Sequence, residues 1–149
     1  MPVYAATITV FFLLVGLAGA QQPVSFSTGD GGLVHADVYG EGDRGIVLAH
    51  GGRRTKSNWE RQARTLVNAG FRVIAFDFRG HGQSRAGRSG GDGVRFDVLA
   101  AVRYLRENGS NTVSVVGASF GRWAAAQASV EARPGEIDRL VILAGEIDE

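Results

Sequence analysis

The sequence predicts an α/β fold: a mostly parallel sheet with an antiparallel N-terminal hairpin and helices on both faces. Three observations lead there. From Ile46 to Leu143, short β-branched or apolar runs alternate with stretches whose apolar residues recur at helical spacing. Two of the runs, 45–49 and 140–143, are apolar almost without interruption, as strands covered on both sides are. Glycine supplies 22 of 149 residues, about twice its usual share, which requires many tight turns.

Composition narrows the class further. A chain of 149 residues is the size of one domain, and 44% hydrophobic with 21% charged residues is a globular balance. A net charge of +1 provides no basic field for nucleic acid. Arg53, Arg54, Arg85 and Arg88 read as cover for solvated loops. Without cysteine there are no disulfides and no thiolate metal sites. His35, His50 and His81 include no i, i+4 pair for a helical metal site, so neither metal nor cofactor is expected.

The elements follow in order. Residues 1–20 carry no charged side chain, and 8–17 are almost wholly apolar. The core is too short for the roughly 20 residues that span a bilayer, and Ala18, Gly19 and Ala20 form a small-residue cleavage pattern. The expectation is a signal peptide cut after Ala20, leaving residues 21–149 as a secreted or periplasmic domain with no membrane contact; the alternative is an uncleaved anchor. Strands at 24–27 and 33–39 flank Thr28, Gly29, Asp30, Gly31 and Gly32, a hairpin linker, so they should pair antiparallel at a sheet edge. The third strand, 45–49, ends at His50, Gly51 and Gly52. Ser57 with Glu60 three residues on reads as a capping box for a helix over 58–69, stopped by Gly70.

The fourth strand spans 72–78, and the loop after it, with Gly87, Gly90, Gly91 and Gly93, is too glycine-rich to hold regular structure cheaply. Val94, Val98, Ala101, Val102 and Leu105 then share one helical face up to Gly109. Asn108, Gly109 and Ser110 form a glycosylation sequon.

The stretch 112–130 organises the chain. Thr112 to Val116 is a β-branched strand run, Trp123 to Ala128 has strong helix propensity, and Gly117, Ala118, Ser119, Phe120, Gly121 lies between them. A serine on so sharp a strand-to-helix turn must take a strained backbone conformation, with glycines two residues either side so that strand and helix can cross closely. The Phe120 N–H would then stand at a helix N-terminus, where unpaired donors favour developing negative charge. After Pro134 and Gly135, residues 139–143 give a sixth strand.

Over residues 24–144 these motifs resemble the α/β-hydrolase family. His50-Gly51-Gly52 follows the third strand, Asp77-Phe78-Arg79-Gly80-His81-Gly82-Gln83-Ser84 the fourth, and the serine pentapeptide the fifth. The resemblance implies a nucleophile at Ser119 and oxyanion N–H groups from Phe120 and Gly52, acting on an ester, amide or similar carbonyl of a small molecule or peptide. It implies structural roles for His50 and Asp77. The family's chain order is serine, acid, histidine, yet no histidine follows Ser119. The expectation is therefore a hydrolase domain truncated after the sixth strand, nearly inert as it stands and left with an apolar sheet edge at 139–143. Three alternatives accompany it: His81 as a substitute base, a non-catalytic binding protein of the same fold, and a phosphate loop at 82–89 that lacks the required lysine.

Overall fold

The computed structural model describes residues 20–145. The expected signal peptide lies outside them except for Ala20. The chain runs β1 (Gln22–Ser27), β2 (Leu33–Tyr39), β3 (Arg44–Ala49), α1 (Glu60–Asn68), β4 (Arg72–Phe76), α2 (Val94–Glu107), β5 (Thr112–Ala118), α3 (Phe120–Glu131) and β6 (Arg139–Leu143). Among the described residues the strands form one mixed sheet, ordered β1-β2-β4-β3-β5-β6. β1 pairs antiparallel with β2, and β2 with β4. The pairs β3·β4, β3·β5 and β5·β6 are parallel. The expected architecture is present, edge hairpin included.

The period-two alternation of β3 divides the core. Val47 and Ala49 pack with α2 and α3 through Val98, Leu105, Ala124 and Ala128, whereas Ile46 and Leu48 pack with Trp59, Ala63 and Leu66. Phe76, Phe78, Leu48, Ile74 and Leu105 are fully buried, each stabilising the fold by about 1.5–3 kcal/mol. No helix among the described residues is long and apolar enough to cross a membrane.

Because the connected strands are parallel, the ends of β3, β4, β5 and β6 share one rim. The hairpin loop 28–32 joins them there, since β2 runs antiparallel to β4 with Ala36 opposite Phe76. Open α/β sheets place their sites at this rim.

Several boundaries differ from expectation. The 58–69 helix opens instead as a 3-10 turn at Lys56–Trp59 before α1 begins. Its cap is Thr55, whose N–H donates to Asn58 Oδ1 at 2.9 Å. Glu60 binds Arg64 one turn on rather than reaching back to Ser57. β4 ends at Phe76, two residues early, because the Phe78 N–H turns to a side-chain acceptor, His50 Nε2. β5 runs two residues further than the valines, through Gly117 and Ala118, because both pair with β6. The glycine loop holds one short regular piece, a 3-10 turn at Gly90–Gly93.

Candidate active site

Ser119 stands between the last residue of β5 and the first of α3, at φ 48° and ψ −118°. Among the described residues it is the one non-glycine with positive φ, a conformation that costs about 1–3 kcal/mol and persists only where its surroundings enforce it. They do so from several sides. The Ser119 N–H donates to Leu143 O at the end of β6, and the Ser119 carbonyl accepts from the Arg122 N–H at 3.1 Å. The hydroxyl makes no capping bond to α3. A Cβ on Gly117 would fall 2.5 Å from Gly121 O, and one on Gly121 would fall 2.3 Å from Ala49 O. Both glycines are therefore required for α3 to cross β3 and β5 this closely.

The three residues expected to act together, Ser119, Phe120 and Gly52, are brought together. Phe120 is the first residue of α3, and a Cβ built on Gly52 would lie 3.5 Å from Phe120 Cβ. Phe120 also meets Phe78 edge-on, with ring centroids 5.3 Å apart.

Two histidines hold the loop that carries Gly52. A carbonyl can only accept, so His50 must donate its Nδ1–H to Gly51 O, at 2.6 Å, which leaves Nε2 to accept the Phe78 N–H at 3.0 Å. Burial lowers the His50 pKa, which keeps the ring neutral as this pattern requires. His81 donates its Nε2–H to Gly52 O at 2.8 Å. That nitrogen is a proton donor here, not the free base of the substitute-base alternative. Asp77 Oδ1 accepts the Lys56 N–H at 2.7 Å, and a Cβ on Gly82 would strike Asp77 Oδ2 at 2.4 Å. His50 and Asp77 thus brace loops.

An ion cluster that no sequence motif announces lies beside these loops. Arg79, Asp30 and Asp97 have side chains 2%, 5% and 0% exposed. All five guanidinium N–H donors find acceptors: Asp97 takes Nε and Nη2, Asp30 takes Nη1 and Nη2, and Gly90 O takes Nη1. Hydrogen bonds from Arg79, then Thr28 and Ser89, hold the Asp30 carboxyl well below its usual range, whereas burial pushes that of Asp97 up. Its three members come from the hairpin loop, the end of β4 and α2, at no fixed spacing. No local pattern could have revealed it.

Among the described carboxylates after Ser119, Glu131 pairs with Arg95, Glu136 with Arg103 and Arg133, and Asp138 with Arg106. Asp138 precedes β6, at the opposite rim from Ser119.

The family model for the alpha/beta hydrolase fold matches residues 46–149. A non-heme haloperoxidase of Rhodococcus erythropolis is 33% identical over 116 residues, 76% of this chain and 41% of that protein. Epoxide hydrolase A of Mycobacterium thermoresistibile superposes with TM-score 0.71 at 25% identity, covering 84% of this chain and 39% of its own. An esterase of Pyrococcus furiosus gives 0.69 at 26%, covering 89% and 52%. The chain thus spans about half or less of the length of these relatives. Matched by the family model over more than two thirds of its residues, the chain belongs to the alpha/beta hydrolase family.

Proposed function

We propose that this chain supplies the nucleophile and oxyanion half of a serine hydrolase acting on ester or amide carbonyls. The observation that carries the reading is the forced backbone of Ser119 at the rim, φ 48° and ψ −118°. Strain of this kind, on a serine between two sterically obligatory glycines, supports a functional role for its hydroxyl. It lifts a hydroxyl clear of both strand and helix.

In this reading Ser119 Oγ attacks the carbonyl carbon, and the carbonyl oxygen becomes an anion held by the N–H groups of Phe120 and Gly52. The serine proton passes to a base and then to the leaving group, and water releases the acyl group by the reverse path. No histidine follows Ser119 in these 149 residues, and each described later carboxylate pairs with an arginine, so the described residues after Ser119 supply no base and no free carboxylate. Loss of the base from a comparable triad costs on the order of a millionfold in turnover, so the 149 residues alone are nearly inert. The substrate class is small-molecule or peptide, and the apolar run at 8–17 with its small-residue cleavage pattern supports a secreted or periplasmic compartment, an uncleaved anchor being the alternative.

A fluorophosphonate probe applied to the full natural chain tests the reading. Labelling mapped to Ser119 and abolished in Ser119→Ala supports it. An unlabelled protein, or one labelled elsewhere, removes it and favours a non-catalytic binding protein of the same fold.

A further inference from the structure

Gly52 presents a difficulty for the role assigned to it. An oxyanion donor must point in one fixed direction before the reaction begins, yet Gly51 and Gly52 are consecutive glycines with the greatest backbone freedom of any residue, and Gly52 is exposed. Within the loop only the Arg54 N–H, on Gly51 O at 3.1 Å, restrains these peptide planes, and the Gly52 carbonyl needs a partner from outside it.

A peptide unit is planar and trans, so whatever holds its carbonyl also sets the direction of its N–H. The Gly51–Gly52 peptide is held by His50 Nδ1–H on Gly51 O at 2.6 Å. The Gly52–Arg53 peptide is held by His81 Nε2–H on Gly52 O at 2.8 Å. Gly52 is therefore clamped on both sides, and its φ and ψ cannot drift together.

His81 can clamp because its own platform is rigid. Its N–H donates to Phe78 O at 2.9 Å, its carbonyl accepts from Ser84 N–H at 3.0 Å, and Gly80 N–H reaches Ser84 O at 3.1 Å. Ser84 Oγ accepts the His35 N–H at 2.9 Å. Arg79, two residues earlier, is anchored in the buried ion cluster. The imidazole also meets His50 edge-on, with centroids 4.9 Å apart.

We propose that His81 is a positioning residue for the oxyanion hole: His50 aims the Gly52 N–H through Gly51 O, and His81, by donating Nε2–H to the Gly52 carbonyl, fixes the following peptide so that the loop cannot swing that N–H away. The inference rests on the serine-hydrolase reading. It assigns His81 Nε2 a fixed donor's task.

The test separates the hydrogen bond from the ring contact. Phenylboronic acid forms a bond from Ser119 Oγ to boron; the hydroxyl proton leaves to solvent, and boron becomes tetrahedral and anionic, mimicking the oxyanion without needing a catalytic base. Affinity is read by 11B NMR on the full natural chain, with melting temperature as the folding control. His81→Phe keeps a ring against His50 and loses the donor; His81→Gln keeps an N–H at similar reach and loses the ring. The expected result is a roughly tenfold loss for His81→Phe, below the 10²–10³ of deleting an oxyanion donor, and near-native affinity for His81→Gln. Native affinity in both variants, equal losses in both, or a loss confined to His81→Gln would overturn the positioning role. No adduct on the parent chain, or one that survives Ser119→Ala, would instead overturn the serine reading beneath it.

Discussion

Two halves of the same rim are built on opposite principles. Beside β2 and β4, the buried charges are answered: Arg79 lies between Asp30 and Asp97 with all its donors used, and the loops above are tied by backbone bonds. Beside β5 and β6, a serine sits in a conformation that its residue type disfavours. The strand that helps hold it there, through Leu143 O, leaves Leu140, Val141 and Ile142 36–47% exposed. One half supplies stability, and the other holds strain that the first half can sustain.

The largest expected effect comes from breaking the closed half. Arg79→Leu leaves two buried carboxylates facing each other, which should cost about 3–5 kcal/mol and shift the urea midpoint accordingly. Next is the crossing of α3 over β3. Gly121→Ala places a methyl group 2.3 Å from Ala49 O, and the backbone shift needed should cost about 1–3 kcal/mol. Fluorophosphonate labelling should fall further than that loss alone explains, because the displacement occurs at the serine turn.

Acid should act through the tied carboxylates. Burial raises the Glu136 pKa, but hydrogen bonds from Arg103 and Arg133 outweigh it and bring the group down to about 2 from an ordinary value near 4.5. Asp30 is lowered too, mainly by its bonds to Arg79. Below the ordinary carboxylate range the unfolded chain takes up protons that the folded chain refuses. Stability should therefore fall between pH 4.5 and 2, as thermal melts across that window would report. Asp97, whose pKa burial raises, offsets part of the loss.

The smallest effect has the opposite sign. Ser119→Gly relieves about 1–3 kcal/mol of strain against the 0.5–1 kcal/mol entropy penalty of glycine. A gain of about 1 kcal/mol, or a few degrees in Tm, is expected along with complete loss of labelling. A destabilised Ser119→Gly would mean that the open half holds no strain.

What the sequence made legible was local. The strand periods, the edge hairpin and the serine turn each sit within one short stretch, and Gly117 and Gly121 are needed for the steric reason their spacing implied. The cap at Thr55 was misplaced because Ser57 and Glu60 offered an equally good pattern two residues on. The Arg79 cluster and the His81–Gly52 bond were invisible because each joins residues 18–49 positions apart through the tertiary fold alone.

A crystal structure of the full natural chain with a phosphonate bound tests the central claim most directly. The account predicts phosphorus bonded to Ser119 Oγ and a phosphoryl oxygen within about 2.7–3.1 Å of both the Phe120 and Gly52 nitrogens. Phosphorus on another residue, or an oxygen facing solvent away from both amides, would contradict it.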